Sequence, residues 1–247
     1  MIKKSLWSQL NSIFLLATLS LLSACSDAEE NVSQNKTEVA PVIQEQTATI
    51  APGKQAKIVL KDVTGLYKEL ASVQPTSTGD KIEVLEVFWY GCPHCYHFEP
   101  VIEKWLGEKA EYIEFVRMPG ILGPQWLPHA RAFYAAEKLG ILEKIHESLF
   151  DAIHKDKRKI VDEESLRAFF SEHGVSGADF DQAYNSREVE DKVRTAFSAG
   201  KNYALTGVPA IIINGKYTTS ASMAGSFEKI IGVINTLAAK EHEESPN

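Results

Sequence analysis

Residues 82–100 read Ile-Glu-Val-Leu-Glu-Val-Phe-Trp-Tyr-Gly-Cys-Pro-His-Cys-Tyr-His-Phe-Glu-Pro. A run rich in β-branched and aromatic residues, the kind strands favour, leads directly into two cysteines separated by two residues. Apolar residues at helical spacing follow, at Phe98, Val101, Ile102 and Trp105. Strand, dithiol and helix in that order constrain this chain more than any other stretch. Cys92 and Cys95 can close into a small disulfide at the junction. With Cys92 at the helix start, unpaired backbone N–H groups and the helix dipole favour its thiolate. Pro93 suits the first turn, where its missing N–H has no partner to lose. His94 adds positive charge beside the sulfur when protonated. The thiolate is the nucleophile in sulfur chemistry, so these four residues are the parts of a redox site.

A structural zinc site is the competing use of such a pair, and it needs two further Cys or His ligands. The chain has three cysteines, and the third, Cys25, lies far upstream in a leader-like segment. His97 is near the pair, but no complete tetrahedral set is apparent. His129, His146, His154 and His173 are scattered without metal spacing. The expectation is a redox dithiol and no metal.

The segment from Phe88 to Glu99 resembles the active-site segment of the DsbA family, bacterial thiol:disulfide interchange proteins. Its Cys-Pro-His-Cys centre is more similar to that family than to thioredoxins, which usually carry Cys-Gly-Pro-Cys. The resemblance extends over roughly residues 64–240. It implies an α/β protein with a thioredoxin fold interrupted by an inserted helical domain. The thioredoxin-like part then comprises residues 64–118 and 197–240, the insertion 119–196, and a short tail 241–247. The resemblance also implies a buried carboxylate beneath the dithiol, for which Glu86 has the right spacing, six residues before Cys92. Such a group takes the proton of the second thiol, and burial raises its pKa to suit that role. Glu99 matches an acid that follows the dithiol in the family and is assigned an auxiliary electrostatic role. Glu83, in the same strand, reads as an acid facing water.

Pro209 resembles the cis-proline that faces the dithiol in this superfamily. A cis bond there turns the backbone of Val208 toward the site, where its N–H and C=O can pair with an extended substrate, as in strand addition. Val208 and Pro209 are thus the expected substrate-binding positions.

Elsewhere the chain punctuates itself. Leu66–Leu70 and Tyr112–Arg117 read as strands, and Lys57–Leu60 as a short strand or the end of a linker. Pro100 is expected to kink the first helix. Ile141, Ile145, Leu149 and Ile153 recur at four-residue spacing, Asp162 and Ser176 mark helix starts, and Val189, Val193 and Phe197 mark a long helix. Trp126, Phe133 and Tyr134 read as packing residues. Ala210–Ile213 is a strand, Asn214-Gly215 a hairpin turn and Lys216–Thr219 the return strand. Phe227, Ile230, Ile231, Ile234 and Leu237 give a last amphipathic helix.

The first 24 residues carry Lys3 and Lys4 and then a short apolar run, as in a bacterial export signal. Leu22-Ser23-Ala24-Cys25 resembles a lipoprotein cleavage motif, with Cys25 lipidated and the membrane as anchor. Residues 25–63 are polar and read as a tether. Formal net charge is −7, which argues against nucleic acid as a partner. Export places the dithiol in the periplasm, where disulfides persist.

The expected function is a lipid-anchored periplasmic oxidase that donates the Cys92–Cys95 disulfide to newly exported or unfolded cysteine-containing proteins and uses no other cofactor. The resemblance implies reoxidation by a membrane partner similar to the quinone-linked DsbB family. The alternatives are a disulfide isomerase or reductase on the same fold, or a non-catalytic chaperone-like binding lipoprotein.

Overall fold

The structure is a computed structural model and describes residues 58–245; Cys25 and the leader lie outside them. Its centre is strand β2, Ile82–Phe88, every residue of which is buried. Side chains alternate across the sheet. Ile82 and Val84 therefore meet one apolar cluster, while Leu85 and Val87 meet another on the opposite face. β2 pairs in parallel with β3, Ile113–Pro119, and antiparallel with β4, Ala210–Ile213. β5, Tyr217–Ser220, returns beside β4, and the two-residue β1, Lys68–Glu69, closes that edge. The sheet order is β1-β5-β4-β2-β3, so β3 is an edge strand and β2 lies next to it.

The Asn214-Gly215 turn has positive φ at both residues, as a tight hairpin requires. A Cβ at Gly215 would also collide with the carbonyl of Gln74. Glycine is thus required there twice over.

Helix α1, Pro93–Leu106, buries Cys95, Phe98, Ile102 and Trp105 and continues through Pro100 without ending. On the same side of the sheet lies the last helix, α8, Phe227–Glu244; the indole N–H of Trp105 donates to Asn235 of that helix at 2.9 Å. Residues 58–60 form no strand. They lie along α8, with the carbonyl of Ile58 bonded to Asn235 and the N–H of Leu60 to Thr236.

Five α-helices stand between β3 and β4: α2 Leu127–Lys138, α3 Leu142–His154, α4 Glu163–Glu172, α5 Gly177–Tyr184 and α6 Arg187–Asn202. Asp162 and Ser176 cap α4 and α5 through side-chain bonds to the N–H groups of Ser165 and Asp179. Phe133, Ile145, Leu149, Phe150, Leu166 and Phe170 form the core of this layer together with Phe88, Tyr90, Cys92 and Cys95. The dithiol therefore sits at the seam between the sheet layer and the helical layer. A four-residue helix α7, Ala221–Ala224, precedes α8.

The long helix marked by Val189, Val193 and Phe197 is α6; it turns Val189, Val193 and Ala196 inward, while Phe197 is 44% exposed with Lys201 resting on its ring. One local expectation is corrected: Glu83 is buried, because its carboxylate accepts hydrogen bonds from the N–H and hydroxyl of Ser77, both at 2.7 Å. Local hydrogen bonds replace the water that an acid at this position otherwise needs.

Candidate active site

Cys92 is the N-cap of α1, with extended backbone, and Pro93 occupies the first turn. The N–H of Cys95 donates to the Cys92 sulfur at 3.4 Å, the bond a capping side chain normally takes. The Cys92 thiol points at the carbonyl oxygen of Val208, 3.5 Å away. The Val208–Pro209 peptide is cis. Both cysteines are free thiols, but their surroundings differ. Cys92 retains 8% exposure and Cys95 none.

These positions pull the two thiols apart in acidity. Hydrogen bonding by the Cys95 side chain is the largest influence on Cys92; burial opposes it, and the N–H groups of Cys95 and His94 and the charge on His94 add to it. The net result lowers Cys92 to about 6. Burial pushes Cys95 far above its usual range, reinforced by the Cys92 sulfur and the charge of Glu86. One sulfur is a thiolate at neutral pH and its neighbour holds its proton. Pro93 and His94 are exposed on the outer side of the pair.

Beneath the dithiol lies an ion cluster. Glu86 is fully buried. Its register partner across the parallel ladder is Arg117 of β3, whose Nε stands 3.3 Å from Glu86 Oε2. Neither Glu86 oxygen has an aligned hydrogen bond. Burial first, and then the charge of Glu99, raise Glu86 to about 8 against the pull of Arg117. It is a neutral acid at pH 7. Arg117 makes its aligned bonds to other acids, donating through Nη2 to Glu99 at 2.9 Å and Glu103 at 3.0 Å. Burial pushes Glu99 up, but His146 and Arg117 outweigh it and hold the carboxyl below its usual value. His146 Nε2 stands 3.3 Å from Glu99, and its Nδ1 is 2.9 Å from the hydroxyl of buried Tyr90.

Above the cluster, aromatic rings wall the dithiol. Trp89 stacks on Trp126 at a centroid distance of 4.4 Å. Tyr96 stacks on His154, and His154 Nε2 lies 2.7 Å from the Tyr90 carbonyl oxygen.

The structure thus brings together Cys92, Pro93, His94, Cys95, Glu86, Glu99, Val208 and Pro209. It adds Arg117, His146, His154 and Tyr90, which sequence reasoning left out. Arg117 had a signal: strands starting near Ile82 and Ile113 and running in parallel set it opposite Glu86. His146 had none, because its partners come from the turn after β2 and from α1. Among the described residues no cluster of three or more His, Cys, Asp or Glu suits a metal ion.

A mixed sheet of this topology, with a dithiol capping a helix and a cis-proline facing it, defines a dithiol protein of the thioredoxin fold. Comparison with known proteins narrows the class. The DSBA-like thioredoxin domain profile matches residues 109–231. DsbA of Azotobacter vinelandii, a thiol:disulfide interchange protein, is 39% identical over 175 residues, covering 71% of this chain and 82% of the relative. The corresponding protein of Burkholderia cepacia is 37% identical over 179 residues, covering 72% and 84%. The crystal structure of Pseudomonas aeruginosa DsbA superposes with a TM-score of 0.69 at 37% identity, covering 72% of this chain and 93% of that one. The chain belongs to the DsbA family of thiol:disulfide interchange proteins.

Proposed function

We propose that the protein is a periplasmic thiol:disulfide oxidase that passes the Cys92–Cys95 disulfide to exported proteins, with no cofactor beyond that disulfide. The observation that carries this reading is the split in acidity between Cys92, lowered to about 6 and placed beside Val208, and a buried Cys95 raised far above its usual range. A substrate thiolate attacks Cys92 Sγ, the bond to Cys95 breaks, and the electron pair stays on Cys95. Glu86, a neutral acid beneath the pair, supplies the proton that Cys95 needs. A second substrate thiolate attacks the substrate sulfur of the mixed disulfide and expels Cys92. A low pKa makes Cys92 a good leaving group, so transfer runs toward the substrate. Val208 pairs through its backbone with the extended substrate, while Pro209 sets the direction of that backbone. Pro93 and His94 favour the thiolate, and Glu99 tunes the cluster around Glu86.

The same reading assigns residues 1–24 to a signal peptide, Cys25 to a lipid anchor and residues 25–63 to a tether. The thioredoxin-like domain is discontinuous, 64–118 and 197–240, around an insertion at 119–196. A quinone-linked membrane protein of the DsbB type reoxidises the dithiol. No helix among the described residues is long and apolar enough to cross a membrane. Intact mass of protein from its native host tests the anchor: acyl chains on Cys25 support it, and an unmodified Cys25 rejects it.

The chemistry is tested by Cys95→Ser, which removes the resolving thiol. With Cys92 first oxidised to its mixed disulfide with glutathione, this variant should release glutathione to a reduced single-cysteine substrate peptide and hold that peptide in a mixed disulfide at Cys92. Substrate captured without a covalent bond to Cys92 would favour a binding protein instead.

A further inference from the structure

Strand β3 forms one edge of the sheet and keeps part of its outward main chain unpaired. In a parallel pair, alternate residues of a strand bond to the neighbour and the others face away. The N–H of Ile82 donates to the carbonyl of Tyr112 at 2.8 Å, and that of Gly120 to the carbonyl of Phe88 at 2.7 Å. With the register between β2 and β3, these bonds set the even-numbered residues of β3 toward β2. Residues 113, 115, 117 and 119 therefore face the free edge. Both ends of that edge are closed. Ile113 gives its N–H to Ala110 and receives Lys109 Nζ on its carbonyl at 2.6 Å, and Pro119 has no N–H to offer. Between them, the N–H and C=O groups of Phe115 and Arg117 have no protein partner among the described residues.

This edge is the floor of a groove of about 1750 Å³. Successive side chains of β3 lean to opposite walls. Phe115 lies with Leu106 on the α1 side, and Val116 with Tyr134 of α2 and Ala199 of α6 on the other. All five are half-buried. The volume exceeds the roughly 300–1,000 Å³ that small-molecule sites offer. Main-chain donors and acceptors in strand geometry between apolar walls match an extended polypeptide. Sheets blunt a free edge with lysine and proline; here Lys109 and Pro119 stand at the two ends and leave the middle open. The opening is also near the dithiol. Arg117 stands opposite Glu86 in register, about 4.8 Å across the ladder. Cys92 follows Glu86 by six residues, at most about 20 Å of chain.

We propose that the free edge of β3 is a second polypeptide-binding site, which takes an extended apolar segment of a client protein as an added strand while the client's cysteine reacts at Cys92. The client as occupant rests on the oxidase reading. Its backbone pairs with Phe115 and Arg117, and its alternate side chains meet the α1 wall and the α6 wall. Recognition through main chain tolerates many sequences, as proposed at Val208. About eight residues of extended chain join the two points. Holding the client at β3 makes its encounter with Cys92 intramolecular.

The test uses the reduced full chain, labelled with ¹⁵N, and a cysteine-free peptide of alternating valine and threonine closed by a lysine at each end. Amide hydrogen exchange is read by NMR. Peptide at about ten times its Kd should slow exchange at Phe115 and Arg117 about tenfold. Glu114, Val116 and Met118, already bonded to β2, should not change, and the same peptide N-methylated at alternate residues should protect none of them. Unchanged exchange at Phe115 and Arg117 up to millimolar peptide, or protection at Val208 alone, overturns the inference. In a second arm, Phe115→Pro deletes one edge donor and no bond to β2. It should raise KM about tenfold for disulfide transfer to a reduced, unfolded protein and leave exchange with glutathione at its wild-type rate. Equal slowing of both would trace the effect through Arg117, whose guanidinium lies 4.9 Å from the centre of the Phe115 ring, and overturns the inference. Where this variant does not fold, the wild-type exchange arm decides alone. Protection of Phe115 and Arg117 in a protein that passes no disulfide overturns the oxidase reading instead.

Discussion

The sulfur of Cys92 lies 3.5 Å from the carbonyl oxygen of Val208, 116 residues further along the chain. A substrate that attacks Cys92 must therefore arrive alongside Val208. An extended segment in that position can satisfy its backbone groups there whatever its side chains are. The proposed nucleophile and the proposed recognition element thus share the same few ångströms of surface.

The first expectation concerns which thiol reacts. Cys92 is lowered to about 6 and Cys95 is raised. Alkylation of the reduced protein should modify Cys92 with a midpoint near that pH and leave Cys95 untouched until the chain unfolds. Peptide mapping by mass spectrometry reads this directly. Faster labelling of Cys95 at pH 7 would reverse the assignment of nucleophile.

Glu86 should cost stability and supply rate. Its folded pKa of about 8 lies above the ordinary value of 4.5, so the native state binds more protons than the unfolded chain between those two values. The stabilising effect of the protonated group is present below pH 4.5 and is lost as pH rises toward 8; at pH 7 the loss is about 3 kcal/mol. Glu86→Gln should remove this fall and raise the denaturant midpoint at pH 7. Its disulfide should react with substrate thiols about a hundredfold more slowly, the low end of what a positioned acid contributes. A variant that is stabilised but equally fast would leave Glu86 without a chemical role.

Among the described residues Arg117 is the one cation in direct contact with three acids, Glu86, Glu99 and Glu103. Arg117→Met keeps the stem but leaves Glu99 without its guanidinium partner in the interior, with only His146 beside it. The expected loss is about 3–5 kcal/mol, the range for breaking one side of a buried pair. Urea titration at pH 7 measures it. A change below 1 kcal/mol would mean that the cluster is more hydrated than its burial implies.

Relative stability of the two redox forms should depend on pH. Closing the Cys92–Cys95 loop favours the oxidised form by about 2 kcal/mol on the loop-entropy formula. Opposing it, a depressed Cys92 pKa stabilises the reduced fold. That contribution is complete above the unfolded pKa and vanishes as pH falls through about 6. Between those limits it grows by at most about 1.4 kcal/mol per pH unit, less the share that screening removes at a sulfur partly open to water. The oxidised form should lead in acid and the reduced form should overtake it above about pH 7.5. Parallel melts from pH 5 to 9 test this, and a constant difference across the series would contradict it.

Much of this was legible in the chain because the signals are local. Cys92 to Cys95 follow a strand and open a helix, Asn214-Gly215 admits one kind of turn, and Asp162 and Ser176 cap helices through bonds within three residues. The error falls where a hydrogen bond from outside the strand decides: Glu83 is buried because Ser77, in the preceding loop, satisfies its carboxylate, and spacing carries no mark of that. Arg117 and His146 join Glu86 and Glu99 only once β3 and α3 have packed, so the electrostatics of the site are tertiary, although its sulfur chemistry is not.

The account stands or falls on transfer of one disulfide. Oxidised protein mixed with a reduced, unfolded secreted protein at pH 7 should lose its Cys92–Cys95 bond as the substrate gains one, mole for mole, with a transient mixed disulfide at Cys92. Quenching by acid and counting free thiols by mass gives both sides of the exchange. A substrate that stays reduced while Cys92 and Cys95 remain bonded would contradict the claim that this dithiol is an oxidant.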